Sequence, residues 1–134
     1  MLKKFTKKEL LGIYEKMYLS RKLDEKQLIL LKQGLGYFHI GASGHEAAQI
    51  AASSLIDVKK DFSYPYYRDQ AYCVGLGMSA KEIFLSFLAK KDDPNYGGRQ
   101  MPQHFSHKKL NIVSQSSPTG TQYLQAVGAS FALQ

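Results

Sequence analysis

Thr6 followed three residues later by Glu9 is the pattern that most constrains this chain, because that spacing lets two side chains satisfy the free amides of a helix start reciprocally. Leu10, Tyr14, Met17, Arg21, Asp24, Leu28 and Leu31 then recur at helical intervals until Gly34 and Gly36 end the run. Residues 1–34 therefore read as one long helix around which the rest must be built. Its inward stripe takes in Arg21 and Asp24, three apart. They read either as a buried or half-buried ion pair holding neighbouring loops, or as an exposed pair of little effect.

The helix is also lysine-rich, which matters because the chain carries a net charge of +7 over 134 residues. Such an excess raises nucleic acid, anionic lipid or a small anion as partner. Lys3, Lys4, Lys7, Lys8, Lys16, Lys22, Lys26 and Lys32 interleave with Glu9, Glu15 and Glu25, the pattern of a solvated face. Only Arg21, Arg68 and Arg99 among the eighteen cations are arginines, the residue whose planar fork grips phosphate or carboxylate. No nucleic-acid or membrane partner is expected. The alternative is a non-enzymatic basic module that contacts nucleic acid or an acidic protein through this helix and the tyrosine cluster below. An apolar share of 44% with 22% charged residues fits one globular domain with a core. The lone Cys73 excludes an internal disulfide, reads as buried filler and makes a reducing, cytoplasmic setting the expectation. No apolar run reaches membrane-spanning length, and the start MLKKFTKKELL has no signal core.

Beyond Gly34 the string GLGYFHIGASG reads as a shaped loop that lines something, and the alanine-rich HEAAQIAASSL as a helix able to approach its neighbours closely. SYPYYRDQAYC surrounds Arg68 with four tyrosines, and a helix is expected to begin near Tyr67. There a phenol, a guanidinium and exposed helix-start amides can converge on a phosphate. Ser79 and Glu82 form a second capping box ahead of Ile83, Phe84, Phe87 and Leu88. The segment DDPNYGGRQMPQHFSHKK has no periodicity, and loops of that length are functional or mobile. LNIVSQSS reads as a short strand, and SSPTGTQ as a turn into a helix from Thr121. That turn is able to bind a cation or the polar edge of a heterocycle, or is a plain capped turn. His104 and His107 stand at i, i+3 without companion ligands, which disfavours a metal site. His39 and His104, each in an irregular segment, are the candidates for acid–base or hydrogen-bonding work.

FHIGASGHEAAQIA, YYRDQA, GGRQMPQHF and NIVSQSSPTGTQYLQAVGA, in this order and spacing from about Met17 onward, resemble the alpha subunit of the thiamine diphosphate-dependent decarboxylating component of 2-oxo acid dehydrogenase complexes. GRQMP-x-H and SSP-x-x-TQ are more similar to the branched-chain (2-oxoisovalerate) type, including forms with fused alpha and beta parts, than to the pyruvate type. The resemblance implies an α/β thiamine diphosphate-binding fold, mostly helical over these residues with one or two short strands. Residues 35–134 would then be a partial cofactor-binding domain behind the 1–34 helix. It implies that Tyr67 and Arg68, with Tyr66 beside them, grip the cofactor's diphosphate, and that Ser117 and Thr119 meet its aminopyrimidine ring. Ser116, Pro118, Thr121 and Gln122 match a structural potassium site of branched-chain members. Phe38 and His39 match a loop at the active-site entrance, and His104 a histidine near the reacting end.

The implied activity is oxidative decarboxylation of a 2-oxo acid with acyl transfer to a lipoyl group. The implied partners are a beta subunit or fused beta part, which supplies the glutamate that activates the cofactor, the lipoyl acyltransferase and the 2-oxo acid, in an oligomeric enzyme. The family's magnesium motif, GDG with a downstream asparagine, does not occur before Gln134. The chain is accordingly expected to be a cut fragment that alone binds cofactor weakly, turns nothing over, and associates through uncovered apolar faces.

Overall fold

The computed structural model describes residues 5–134, so Lys3 and Lys4 of the basic cluster lie outside the described residues. Five helices carry the fold: α1 (Lys7–Lys32), α2 (Glu46–Ser53), α3 (Gln70–Leu76), α4 (Ala80–Phe87) and α5 (Thr121–Ala132), with a 3-10 turn at Lys108–Leu110. Both capping boxes form. Thr6 Oγ1 accepts from the Glu9 amide at 3.2 Å, and Glu9 Oε2 accepts from the Thr6 amide at 2.8 Å. Ser79 and Glu82 repeat the exchange at the start of α4.

The buried face of α1 differs from the expected stripe. Ser20, Leu23, Asp24 and Gln27 are buried, whereas Leu10, Tyr14 and Leu28 are exposed at 52%, 64% and 41%. Spacing identifies a helix, but which face is covered depends on the helices packed against it, here α2, α3 and α4. The Arg21–Asp24 pairing is likewise replaced. Arg21 Nε reaches Glu46 Oε1 on α2 at 2.7 Å, while Asp24 turns to the loop after α1. Elsewhere on α1, Lys16 Nζ donates to the Gly75 carbonyl and Lys22 pairs with Glu25, so part of the basic face is engaged within the chain.

Leu23, Cys73, Val74, Leu76, Met78, Ile83, Phe105 and Ile112 form the core, so α1 shares it with α3, α4 and the later loops. Cys73 is fully buried, and burial pushes its thiol well up from the ordinary range, as suits inert filler. Small residues set the α2–α3 approach. A Cβ on Gly75 would stand 1.9 Å from Ser53 Oγ and 2.6 Å from Ser53 Cβ, so only glycine fits there. Gly77, at φ +118°, ends α3 in the left-handed conformation.

The expected strand from Leu110 shrinks to two isolated bridges, Ser63 with Ile112 in parallel and His107 with Ile112 antiparallel. Asn111 adopts φ +50°, which breaks the extended run just as it begins. The aperiodic segment after Lys91 is instead packed in, with Asp93, Asn95, Tyr96, Gln103, His104 and Phe105 all buried. Asp93 accepts from the Asn95 and Tyr96 amides, Asn95 Oδ1 accepts from the Ser106 amide at 2.9 Å, and Tyr96 OH meets Ser86 Oγ at 2.6 Å. Burial pushes the Tyr96 phenol up to about 12. The fold is thus mostly helical, with almost no strand among the described residues.

Candidate functional site

Residues 66–69 turn tightly before α3, which starts at Gln70 rather than near Tyr67. Asp69 Oδ2 accepts from the Tyr66 amide at 2.8 Å and closes the turn. The capping of α3 comes from α2. Gln49 Oε1 accepts from the Ala71 and Tyr72 amides at 3.1 and 3.3 Å, while Gln49 Nε2 donates to the Arg68 carbonyl and to Asp69 Oδ1, both at 3.0 Å. This narrows the expectation of free helix-start amides facing a phosphate, because Gln49 already occupies those of Ala71 and Tyr72. Burial raises the Asp69 carboxyl above its ordinary range, against the pull of the Tyr66 amide.

The turn presents Tyr66, Tyr67 and Arg68 together. The Tyr66 and Tyr67 ring centroids are 4.0 Å apart, and the Arg68 guanidinium lies 5.6 Å from the Tyr67 centroid. Arg68 Nη1 donates to the Gly41 carbonyl at 2.7 Å, so the loop after α1 fixes the guanidinium's direction. Of the other two arginines, Arg21 is paired with Glu46, while Arg99 Nε, like Arg68, bonds a neutral carbonyl, that of Tyr96 at 2.8 Å, away from the tyrosine turn. Among the described residues no carboxylate pairs with Arg68, which leaves its charge for an external anion.

Residues distant in sequence join this turn. His104 stacks against Tyr67 with centroids 6.2 Å apart, and its Nε2 meets Ser117 Oγ at 2.6 Å. The Tyr67 phenol is drawn below its ordinary value, first by its neighbour Tyr66 and then by Thr119. Tyr66, set against Tyr67 and partly buried by its neighbours, is moved upward. Tyr66, Thr119, Asp69, Tyr64, Gln122 and Tyr123 line an open cleft of ≈ 450 Å³ beside the cluster. A guanidinium, phenols, an imidazole and hydroxyls around aromatic faces suit a ligand that combines an anion with a planar ring.

Phe38 and His39 point elsewhere. Phe38 borders a separate depression with Tyr37, Arg99, Met101 and Pro102. His39 lies against the Phe87 ring and 3.4 Å from Asp24, turned under α1 rather than toward Tyr67. His107 faces Glu82 at 3.3 Å, apart from His104, and no cluster of three or more His, Cys, Asp or Glu is placed to hold a metal among the described residues. The SSPTGTQ turn gathers neutral oxygens instead. Ser116 Oγ meets Thr121 Oγ1 at 2.8 Å, Thr121 Oγ1 donates to the Pro118 carbonyl at 2.8 Å, and Gln122 Oε1 accepts from the Gly120 amide.

Sequence reasoning passes over Gln49 and Gln103 and gives Asp24 the wrong partner. Asp24 accepts from the Ala42 amide at 3.1 Å and from Ser43 Oγ at 2.5 Å, anchoring the loop that presents Gly41. A lone polar residue within the alanine-rich run is the available signal for Gln49; the spacing of Asp24 draws attention to it but suggests the wrong partner.

The family described as "Dehydrogenase E1 component" matches residues 14–134. The chain is similar to "2-oxoisovalerate dehydrogenase subunit alpha" of Bacillus subtilis (strain 168), 45% identical over 127 residues that make up 95% of this chain and 38% of that protein. It is 30% identical over 128 residues to the mitochondrial 2-oxoisovalerate dehydrogenase subunit alpha of Dictyostelium discoideum, across 96% of this chain and 29% of that protein. It is 31% identical over 129 residues to "Pyruvate dehydrogenase E1 component subunit alpha" of Staphylococcus aureus (strain Mu50 / ATCC 700699), across 96% of this chain and 32% of that protein. The chain thus spans less than two fifths of the length of these relatives. With the match covering most of α1, all of α2 through α5 and every residue of the Tyr67–Arg68–His104 cluster, the chain belongs to the dehydrogenase E1 component family.

Proposed function

We infer that the chain is the N-terminal part of the alpha side of a thiamine diphosphate-dependent 2-oxo acid dehydrogenase, with residues 35–134 forming part of its cofactor-binding domain. The observation that carries this is the meeting of Tyr67, Arg68, His104, Ser117 and Thr119 beside one cleft from three separate segments. The 45% identity to the Bacillus subtilis 2-oxoisovalerate subunit supports a branched-chain 2-oxo acid as substrate, although the Dictyostelium 2-oxoisovalerate subunit and the pyruvate subunit stand level at 30% and 31%.

The donor chemistry fits the cofactor. Arg68 and the Tyr67 hydroxyl would hold its diphosphate, while Ser117, Thr119 and the aromatic walls would orient its ring end. When bound, thiamine diphosphate supplies the carbanion chemistry of decarboxylation and acyl transfer. The chain's own residues bind and aim. Tyr67, held between Tyr66 and His104, cannot swing away, and Gly41 keeps the Arg68 fork directed. His104 Nε2, within 2.6 Å of Ser117 Oγ, is placed to hold or pass a proton at the ring end, with its Nδ1 near the Pro102 carbonyl at 3.2 Å. The Ser116, Pro118, Thr121 and Gln122 oxygens are hard and uncharged, which suits potassium better than a divalent ion. No residue here is assigned to magnesium. A beta part, a lipoyl acyltransferase and a cytoplasmic oligomer complete the reading.

Arg68→Ala in the assembled enzyme is expected to raise the thiamine diphosphate concentration for half-maximal activity by about 10- to 100-fold, the scale of a lost charge-assisted hydrogen bond. A titration of activity against cofactor reads this, and an unchanged midpoint would remove Arg68 from the site.

A further inference from the structure

Gln103 sits between Pro102 and His104 in the backbone conformation least expected of it, φ +67°, with only 2% of its surface exposed. A non-glycine residue held in the left-handed region carries a conformational cost, so its surroundings must over-determine it. They do so through one partner. Gln103 Oε1 accepts from the Ile40 amide, and Gln103 Nε2 donates to the Ile40 carbonyl at 2.7 Å. The side-chain amide thus pairs with both backbone groups of Ile40 as a neighbouring strand would, across 63 positions of sequence.

The residues on either side give this clamp its meaning. Next to Ile40, the Gly41 carbonyl accepts from Arg68 Nη1 at 2.7 Å. Next to Gln103, His104 stacks on Tyr67 and bonds Ser117. The far end of the 40–43 loop is tied to α1 through Asp24, which accepts from Ala42 and Ser43. His39 at the near end turns to Asp24 as well, so among the described residues it is Gln103 that joins the Ile40 backbone to the segment carrying His104, and without it the carbonyl that directs Arg68 is free to shift relative to His104.

We propose that Gln103 is a positioning residue of the cofactor site: it locks the loop that directs Arg68 to the segment that carries His104, so that the anion-gripping and ring-facing groups keep one spacing. This rests on the thiamine diphosphate reading above. Gln103 touches neither end of the ligand and acts through Gly41 and Arg68.

The test uses the assembled enzyme and thiamine diphosphate with magnesium, binding being measured by titration calorimetry. Gln103→Leu keeps bulk and removes both hydrogen bonds. Gln103→Gly removes them while accepting φ +67° without strain, so it separates the clamp from the backbone cost. Both variants are expected to weaken cofactor binding about tenfold, the scale of a group shifted from its productive position. In an Arg68→Ala background the same changes are expected to add nothing, because the path runs through Arg68. A purely structural role would lower affinity equally in both backgrounds, and that result overturns the proposal, as does wild-type affinity in the variants. Absence of cofactor binding by the unaltered enzyme would instead sink the functional reading itself.

Discussion

Arg68 shows how one residue's task follows from what its neighbours leave it. Its guanidinium bonds a neutral carbonyl while Arg21 bonds a carboxylate, so the two arginines differ in the charge still on offer. The rarity of arginine in a lysine-rich chain narrows the choice to Arg21, Arg68 and Arg99, and the tyrosines around Arg68 draw attention to it, both signals being local. Gln49, Asp24 and Gln103 are not legible in the same way, since their partners lie 18 to 63 positions away. A φ of +67° at a glutamine leaves no mark in the sequence at all. Gly75 offers a sharper test at this scale. Placing a methyl 1.9 Å from Ser53 Oγ and 2.6 Å from Ser53 Cβ forces α2 and α3 apart. Gly75→Ala is expected to destabilise the fold by about 1–3 kcal/mol in denaturant melts, the cost of overpacking. Ser53→Gly in the same chain should recover part of it, and equal stability of Gly75→Ala and the parent would show that the helices yield freely.

At the scale of elements, helices announce themselves through their ends. Thr6–Glu9 and Ser79–Glu82 each mark a start that the structure reproduces, because a capping box is complete within four residues. The strand from Leu110 is a weaker inference, since a strand exists only by pairing, and Asn111 in the left-handed region allows just single bridges. Helix α5 is apolar yet buries none of its residues against the described chain. Leu124, Phe131 and Tyr123 are exposed at 80%, 79% and 71%. Because these side chains support nothing within the chain, Leu124→Ser with Phe131→Ser is expected to leave the melting temperature of the 134-residue polypeptide within about 2 °C, the scale of a surface change. The same pair should reduce self-association in sedimentation velocity. Unchanged association would show that another surface brings the copies together, and a large fall in melting temperature would show that the face is covered from within.

Across the whole molecule, α1 is joined to the site by charge as well as by packing. The Glu46 carboxyl on α2 is held below its ordinary value of 4.5, first by the hydrogen bond from Arg21, with burial opposing and the Gly44 amide assisting at 2.8 Å. A carboxylate depressed in the folded state contributes stability that is complete above its unfolded value and is lost as pH falls through the folded one. Thermal stability is therefore expected to decline as acid is added below about pH 4.5, with a smaller slope in Glu46→Gln. Melting temperatures measured from near neutrality into acid would show this, and identical slopes for the two chains would assign the acid sensitivity to other carboxylates. The segment from Asp93 to Ser106 sits at the opposite extreme from a free connector. Asp93 fixes its start, Tyr96 reaches Ser86, Asn95 holds Ser106, and Gln103 grips Ile40. A loop fastened at so many points acts as a ruler. One residue added or removed between Tyr96 and Gln103 would leave every attachment intact in identity yet shift His104 out of step with Tyr67, so that here the number of residues is as much a part of the site as their chemistry.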